Sequence, residues 1–412
     1  MKFLKSIGCL IIFLLIGKIV VAQTADEWFV KANVLYKDKK YTNAAAAYTE
    51  GIKLQGKEPN VDAVVRGASS WALSNVADSA FYLLNLLTKS TTVSQGDSYF
   101  LKVNKDFLSI QYDDRWNPLT KKIESKAASN YPIKEIIYGR KDGLALTMLQ
   151  LNPSVKSNGK AIIRVIAGSW YSSYQNAEYS IRPSTMYREK GYTVFLVIIG
   201  SNPRYPIPSQ IDDIKRAVRY IRYNAASLKI DPNHLGIEGS SAGGHLSLAV
   251  ATADENINIK AMDPIDRVSS RVQAVTVLFP PTDVLNWGGP GISFVNIKSI
   301  LLTNKIYGAL DFKELDQSTM ELKSITDTSA RNKIARSISP IYAVSSDDPP
   351  IFIIHGTADL TVPLQQSVTF VEKLKEAGVP NKFIIKQGGG HNPNDMQPDM
   401  KQFVDWFDQY LK

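Results

Sequence analysis

The chain has 412 residues, of which 44% are hydrophobic and 21% charged, a composition that is ordinary for globular proteins and long enough for two domains. This excludes an intrinsically disordered chain, a collagen-like chain and a small scaffold held together by disulfides. The net charge of +9 comes from basic residues scattered along the sequence, which indicates a solvated surface and no binding site for nucleic acid.

The first 22 residues are predicted to form a secretory signal peptide. Two lysines precede a short apolar run over residues 7–16, and the small residues at 20–22 provide a cleavage site. A membrane anchor is the alternative, but Lys18 ends the apolar stretch before the roughly 20 residues that a span requires. We therefore expect a secreted or periplasmic protein that begins at Gln23 and has no stable membrane insertion.

Cys9 is the single cysteine of the chain, and it lies inside this segment. A cysteine that carries a lipid follows its apolar run, whereas most of the run here comes after Cys9. The mature protein is therefore expected to contain no disulfide, thiolate nucleophile or zinc-thiolate site.

Residues 23–128 are predicted to form a helical domain, because small and apolar residues recur at spacings of three and four without an alternating strand pattern. One spacing pattern occurs twice, first at Ala32, Ala44 and Tyr48, then at Ala68, Ala80 and Leu84. The offset of 68 − 32 = 36 residues is close to the tetratricopeptide period of about 34. This domain resembles tetratricopeptide repeats, which implies a surface for a protein partner.

Residues 129–412 are predicted to form an α/β domain that begins near Tyr131-Pro132. Short apolar runs that indicate strands cover Ile133–Tyr138, Leu144–Leu151, Ala161–Ala167, Thr193–Ile199, His234–Glu238, Val272–Phe279, Ile351–His355 and Asn381–Gln387. Amphipathic helices are predicted over Gln210–Leu228 and Gln365–Ala377. This alternation predicts a mostly parallel sheet with helices on both faces. Residues 285–336 interrupt it and are expected to form an insertion over the ligand-binding edge.

Ser241 is the candidate nucleophile. It is the serine of the G-x-S-x-G sequence over residues 239–243, directly after a predicted strand and before a helix-like stretch at 244–253. Such a sharp turn from a strand into a helix, called a nucleophile elbow, needs small residues around the serine. It leaves the hydroxyl exposed at the sheet edge.

His391 is the candidate general base, because a serine hydroxyl needs a base within hydrogen-bond reach. It follows three glycines, residues 388–390, in the loop after the last predicted strand. The other three histidines are assigned to structural roles. His234 precedes the strand that leads to Ser241, His245 lies on the helix after Ser241, and His355 ends a buried strand.

Asp359 is the candidate acid that orients the base. It lies just beyond a strand end and gives the chain order Ser, Asp, His, which is that of α/β-hydrolases. Asp283 is the alternative one strand earlier, although a role in turn capping or in the pocket suits it better.

An oxyanion hole would complete the site. The main-chain N–H of Ala242 is the first predicted donor, and the second is expected in the loop after the strand at 161–167, from Gly168, Ser169 or Trp170. The sequence leaves open which of these three donates. Four aromatic residues are candidates for substrate binding: Trp170, Tyr171, Tyr174 and Trp287.

Four segments together resemble a known family: 137–147, the elbow at 241–246, 355–359 and 390–391. They are similar to the exported acetyl-xylan and feruloyl esterases, and to their relatives among small acetyl esterases and prolyl-oligopeptidase-like hydrolases. The resemblance implies an α/β-hydrolase fold, ester hydrolysis without a metal or organic cofactor, and catalytic roles for Ser241, Asp359 and His391. The oxyanion loop departs from the family pattern, since Ile166 replaces the usual histidine and Ala167 and Ser169 replace glycines.

The sequence therefore predicts an exported serine hydrolase that cleaves carboxylic esters, with short acyl groups such as acetyl or feruloyl on carbohydrate as the expected substrates. A serine peptidase of the prolyl-oligopeptidase type is one alternative. A non-catalytic binding protein that uses the helical repeats is the other.

Overall fold

The computed structural model describes residues 23–56, 58–130, 133–255 and 257–412. The predicted signal peptide, Cys9 and the predicted boundary at Tyr131-Pro132 lie outside these ranges. Within them, no helix is long and apolar enough to cross a membrane. The chain divides into two compact units, one with the residues up to Thr91 and Asn104–Lys121, the other with Thr92–Val103 and Lys122–Lys412.

The first unit is built from helices that pack against each other in chain order. Its helices are α1 (Ala25–Lys37), α2 (Tyr41–Leu54), α3 (Val61–Leu73) and α4 (Ala77–Leu86). The small residues at the repeated positions, such as Ala32, Ala44 and Ala68, are fully buried, which lets neighbouring helix backbones approach closely. The tetratricopeptide-like interpretation of this unit stays a prediction.

The second unit contains an eight-stranded sheet with the order β1-β2-β4-β3-β5-β6-β9-β10. The strands are β1 (Ile133–Lys141), β2 (Leu144–Leu151), β3 (Ala161–Ile166), β4 (Thr193–Ile198), β5 (Leu235–Ser240), β6 (Ala274–Leu278), β7 (Lys313–Asp316), β8 (Glu321–Ser324), β9 (Ile351–Gly356) and β10 (Asn381–Lys386). β2 pairs antiparallel with β1 and β4, and all other neighbours in the sheet are parallel. The predicted mostly parallel sheet is confirmed.

The remaining helices are α5 (Gln95–Val103), α6 (Trp116–Asn130), α7 (Tyr174–Ile181), α8 (Thr185–Arg188), α9 (Ile207–Tyr223), α10 (Ala225–Leu228), α11 (Ala242–Ala251), α12 (Lys298–Thr303), α13 (Thr328–Ile338), α14 (Gln365–Glu376) and α15 (Gln402–Tyr410). The predicted helix over 210–228 begins earlier and is divided in two. The division falls at Asn224, which has a non-helical backbone and whose side-chain amide donates to the carbonyl of Tyr220.

Two hydrophobic cores lie on opposite faces of the sheet, because successive strand residues point to opposite sides. Ile163 of β3 belongs to the core that includes α9, α11 and α14, whereas its neighbour Ile162 belongs to the core with α7, α8 and α15. This confirms the predicted helices on both faces. It also places the residues after β3, β5, β9 and β10 at one edge, where the carboxyl ends of parallel strands meet.

The chain between β6 and β9 contains α12, the β7–β8 hairpin and α13. β7 and β8 pair only with each other, in antiparallel register, so this segment adds no strand to the main sheet.

Helix α5 belongs to the second unit and contacts α7 there. Asp97 on α5 is buried, accepts hydrogen bonds from the N–H and hydroxyl of Ser94 at 2.9 and 2.7 Å, and lies 3.2 Å from the Nε of Arg182. The carboxylate therefore ties the start of α5 to the chain that follows α7.

Replacing Asp97 with alanine is expected to lower the free energy of unfolding of the second unit by about 1–3 kcal/mol, because it leaves buried donors without their acceptor. The control is Glu376→Ala, which removes an exposed ion pair with Lys373 in the same unit and should change the unfolding free energy by less than about 0.5 kcal/mol. Urea denaturation of both variants measures the difference. Equal, small effects would show that Asp97 does not stabilise this junction.

Candidate active site

Ser241 lies in the turn between β5 and α11 with φ +53° and ψ −124°, a strained conformation for a residue with a side chain. The turn is so tight that a Cβ on Gly239 would lie 2.3 Å from the carbonyl oxygen of Gly243, and one on Gly243 would lie 2.6 Å from the carbonyl oxygen of Val165. The glycines of the G-x-S-x-G sequence are therefore required by backbone contacts.

The predicted nucleophile, base and acid meet at the carboxyl edge of the sheet. The Nε2 of His391 lies 2.8 Å from the Oγ of Ser241, and its Nδ1 lies 2.7 Å from the Oδ2 of Asp359. The other carboxylate oxygen of Asp359 accepts the main-chain N–H groups of Thr361 and Val362 at 2.8 and 2.9 Å. One line of hydrogen bonds therefore joins three residues that are far apart in sequence.

The carboxyl group of Asp359 is held in its ionised form. Burial would raise its pKa, but the hydrogen bonds from His355, His391 and two main-chain N–H groups outweigh burial and hold the pKa well below its usual range. Asp359 therefore keeps its negative charge at neutral pH.

His355 lies behind this carboxylate and is fully buried. Its Nε2 is 3.0 Å from the carbonyl oxygen of Val362 and 3.3 Å from Asp359, while its Nδ1 is 2.7 Å from the hydroxyl of Ser367. The carbonyl oxygen can only accept, so Nε2 carries the proton and Nδ1 accepts from Ser367. His355 thus supports the loop that carries the acid.

The loop that carries His391 packs directly on the loop that carries Asp359. A Cβ on Gly356 would lie 2.0 Å from the carbonyl oxygen of Gly389, and that same oxygen accepts the N–H of Ala358 at 2.9 Å. On its other side the His391 ring contacts the ring of Phe279, with centroids 4.3 Å apart. Phe279 has a φ of +36°, which is strained for a bulky residue.

Asp283, the alternative acid, does not reach His391. Its buried carboxylate accepts hydrogen bonds from the N–H of Leu285, the side-chain amide of Asn286 and the hydroxyl of Tyr342. These contacts organise the chain after β6, next to the cavity wall.

The predicted oxyanion loop is a two-residue turn. The N–H and carbonyl of Gly168 both bond to Tyr171, at 2.9 Å each, so the N–H of Gly168 is occupied. In the described part of the chain, the N–H groups of Ser169 and Trp170 make no hydrogen bond, so these two remain as candidate donors from the loop. The N–H of Ala242 is at the first position of α11, where no intrahelical acceptor exists.

A cavity of about 280 Å³ opens beside Ser241. Its wall combines the predicted Ser169, Trp170, Ala242 and Trp287 with residues that sequence reasoning did not select: Pro281, Phe294, Ile300, Asn304, Ile306, Leu360, Thr361 and Val362. Trp287 and Phe294 stack with ring centroids 4.2 Å apart and form a flat apolar surface. Tyr171 and Tyr174, which were also predicted to bind substrate, are exposed and lie outside this wall.

The residues that the sequence analysis missed come from two places, the segment between β6 and β9 and the loop after Asp359. Phe294 and Ile306 have the composition of ordinary core residues, so no local pattern separates them from packing. Their one available signal is position, because the segment was predicted to cover the ligand-binding edge.

The side chains of the remaining two histidines make no hydrogen bond to the Ser241 hydroxyl. His234 pairs with Asp231 in the turn before β5. His245 is fully buried on α11, with Nδ1 3.0 Å from the indole Nε1 of Trp170 and Nε2 2.8 Å from the carbonyl oxygen of Ile338. Burial lowers the pKa of His245 to about 4, so its ring is neutral near pH 7.

A larger open groove of about 920 Å³ between β1 and α9 contains none of the predicted site residues. Two ion pairs lie within the groove, Lys141 with Asp213 at 2.7 Å and Arg216 with Asp263 at 2.5 Å. Within the described ranges, no group of three or more His, Cys, Asp and Glu side chains is placed to hold a metal ion.

Comparison with known proteins gives the family of this chain. The family model described as BD-FAE matches residues 148–374, more than half of the sequence and the part that contains Ser241 and Asp359. The chain belongs to the BD-FAE family. Two predictions are thereby confirmed, the resemblance to esterases and the α/β-hydrolase fold.

Curated relatives of this BD-FAE protein include Esterase LipQ of Mycobacterium tuberculosis, which is 26% identical over 236 residues, 57% of this chain and 50% of that protein. The chain spans about half the length of the curated relatives it matches first. A solved truncated form of a carbohydrate esterase from gut microbiota is 27% identical, with a TM-score of 0.51, and the match covers 68% of this chain and 96% of that chain. The acetyl ester-xyloside bifunctional hydrolase of Caldicellulosiruptor lactoaceticus shares the fold. It is 24% identical, with a TM-score of 0.52, and the match covers 68% of this chain and 94% of that chain.

The crowding at the elbow gives a prediction for Gly239→Ala. The added methyl group would meet the Gly243 carbonyl, so we expect the free energy of unfolding to fall by more than about 3 kcal/mol. The control is Gly289→Ala, whose methyl group would make an ordinary 3.5 Å contact with Ile292 and should change the unfolding temperature by less than about 3 °C. Thermal unfolding compares the two variants, and equal tolerance would contradict the described elbow.

His245 gives a prediction of pH dependence. In the unfolded chain His245 takes up a proton near its ordinary pKa of 6.5, whereas in the folded chain burial lowers this pKa to about 4. Folding stability from this group is therefore fully present above pH 6.5 and is lost as the pH falls toward 4. As the pH falls from 6.5 toward 4, the unfolding free energy of wild type should therefore decrease progressively relative to that of His245→Asn.

Urea denaturation at pH 7.5, 5.5 and 4.5 measures this difference. The control is Leu246→Ala, which creates a cavity in the same helix without a titratable group, so its difference from wild type should not change with pH. A pH-independent difference for His245→Asn would show that the ring is not held neutral.

Proposed function

We propose that this BD-FAE protein is an exported serine hydrolase that cleaves carboxylic esters through a covalent acyl-enzyme. The observation that carries the proposal is the position of His391, within hydrogen-bond reach of Ser241 on one side and Asp359 on the other. This is the arrangement that a serine needs to act as a nucleophile at neutral pH.

In the first half of the reaction, the Nε2 of His391 takes the proton of the Ser241 hydroxyl as Oγ bonds to the acyl carbon. The Asp359 carboxylate accepts a hydrogen bond from the Nδ1–H of His391 and stays ionised. This hydrogen bond keeps the ring in the tautomer in which Nε2 is a base, and the carboxylate charge stabilises the imidazolium that forms. His391 then gives its proton to the leaving alcohol as the ester C–O bond breaks. The acyl group remains on Ser241.

In the second half, water attacks the acyl-enzyme, His391 accepts the water proton, and the Ser241 oxygen leaves and takes that proton back. The carboxylic acid is released and the enzyme returns to its first state. In both halves the negative charge on the carbonyl oxygen is bound by the N–H of Ala242 and an N–H from the Ser169-Trp170 turn. These donors are fixed in the backbone and do not reorganise during the reaction.

The proposed substrates are short acyl groups, acetyl or feruloyl, on carbohydrate. The cavity beside Ser241 suits a short acyl chain, since aromatic and aliphatic side chains such as Trp287 and Ile306 form part of its wall. Solved relatives are described as a carbohydrate esterase and an acetyl ester-xyloside hydrolase, and this supports a carbohydrate alcohol. Export rests on the leader sequence, and a protein partner rests on the helical first unit.

The test is hydrolysis of an activated acetate ester by the chain that starts at Gln23. Ser241→Ala should abolish turnover, and Asp359→Asn should lower kcat about 10³- to 10⁴-fold, because the ring then loses the acceptor that sets its tautomer. Asp283→Asn is the matched control and should keep kcat within about threefold, since Asp283 does not contact His391.

Thermal unfolding establishes that each variant is folded, and sugar acetates and feruloyl esters then define the acyl and alcohol preference. Faster cleavage of aminoacyl amides than of matched esters would favour the peptidase alternative. Equal background rates for wild type and Ser241→Ala on esters and amides would overturn the proposal and favour the binding protein.

A further inference from the structure

The turn at Ser169-Trp170 is strained. Both residues have a positive φ, +51° and +57°, and the paired hydrogen bonds between Gly168 and Tyr171 make it a two-residue hairpin turn. Such turns favour asparagine and glycine at both central positions, because larger side chains crowd the backbone there. Serine and tryptophan occupy them here, so the conformation must be imposed by contacts outside the turn.

Three side chains hydrogen-bond to the turn, and the main-chain N–H of Asn202 also donates to the carbonyl oxygen of Trp170 at 3.2 Å. The side-chain amide of Asn202 donates to the carbonyl oxygen of Ser169 at 2.8 Å, and that of Gln210 donates to the carbonyl oxygen of Trp170 at 2.9 Å. The third acts on a side chain, because the indole Nε1 of Trp170 donates to the Nδ1 of His245 at 3.0 Å. None of these hydrogen bonds uses the N–H group of Ser169 or Trp170, and both residues line the cavity beside Ser241.

His245 can accept this hydrogen bond only in one form. Its Nε2 is 2.8 Å from the carbonyl oxygen of Ile338, which is an acceptor, so Nε2 carries the ring proton and Nδ1 presents a lone pair to the Trp170 indole. The ring is fully buried, and no second arrangement satisfies both neighbours.

The position of His245 connects three parts of the site. It lies on α11, four residues after Ser241, and its main-chain N–H donates to the Ser241 carbonyl at 2.9 Å. Its ring contacts Trp170 in the turn and the end of α13 at Ile338, in the segment that supplies the cavity wall. A shift of the turn relative to the elbow must therefore break the hydrogen bond of a buried histidine.

We propose that His245 is a positioning residue that acts through the Trp170 indole to hold the strained turn, so that the N–H groups of Ser169 and Trp170 remain aimed at the oxyanion. This inference rests on the proposed ester hydrolysis. His245 does not touch the reacting atoms, and its effect is on the geometry of the donors in the transition state.

Three variants separate this role from simple packing. His245→Leu removes the acceptor, whereas His245→Asn keeps an oxygen close to the place of Nδ1 and can still accept from the indole. Trp170→Phe removes the donor and keeps an aromatic ring. With an activated acetate ester, we expect His245→Leu to lower kcat about tenfold with KM within about twofold, and His245→Asn to recover most of the loss.

The affinity for an arylboronic acid, which forms a tetrahedral adduct on the serine, should fall in parallel with kcat. The double variant His245→Leu with Trp170→Phe should lose no more kcat than the worse single variant, because both remove the same hydrogen bond. A kcat for His245→Leu equal to that of wild type would overturn the proposal, as would equal losses for His245→Leu and His245→Asn.

A second readout does not depend on turnover. In ¹⁵N-labelled protein, the Trp170 indole N–H should be protected from solvent exchange in wild type and His245→Asn and unprotected in His245→Leu, with Trp170→Phe assigning the resonance. His234→Asn, a substitution outside the site, should leave the resonance and kcat unchanged. If the wild type does not turn over the ester but the Trp170 indole N–H shows the expected protection, the proposed function alone would be overturned. If the indole N–H stays protected in His245→Leu, this inference would be overturned.

Discussion

The site depends on the close approach of two backbones, that of the turn after β5 and that of the chain leaving β3. The N–H of Gly243 donates to the carbonyl oxygen of Ala167 at 3.1 Å, and a single added carbon on Gly243 would overlap the carbonyl of Val165. Because these backbones are in contact, Ser241 and the residues of the second turn, Ser169 and Trp170, line the same cavity. The acid and base loops then need only to reach the same edge of the sheet, which the parallel strand order provides.

Four residues around this contact have a backbone conformation that side chains disfavour. Ser241, Ser169, Trp170 and Phe279 all have positive φ values without being glycine, and each is constrained by buried neighbours. A rigid sheet with two well-packed faces offsets the cost of such conformations. The free-energy cost of each strained residue is small compared with the free energy gained by burying the apolar side chains of both cores. The electrostatics follow the same principle, because the charge of Asp359 is stabilised by fixed N–H groups and a buried histidine before any substrate arrives.

Much of this arrangement could be predicted from the sequence. The strands were recognisable from apolar runs, and Ser241, Asp359 and His391 each follow a strand at the edge where parallel strands must end. The oxyanion donors and the cavity wall were harder. Gly168 had the residue type of a donor, but its N–H is occupied by Tyr171, which only the turn geometry shows. Phe294 and Ile306 resemble core residues, and the short helix α5 belongs to the second unit although its neighbours in sequence do not.

The stacked pair Trp287 and Phe294 belongs to a segment that leaves the main sheet after β6 and returns before β9. None of the hydrogen bonds among Ser241, His391 and Asp359 passes through it. Mutations in this segment can therefore reshape the cavity while Ser241, His391 and Asp359 stay in place. For the proposed hydrolase this separation makes the protein evolvable, because sequence changes confined to one peripheral segment would alter which esters fit and leave the three hydrogen-bonded residues unchanged.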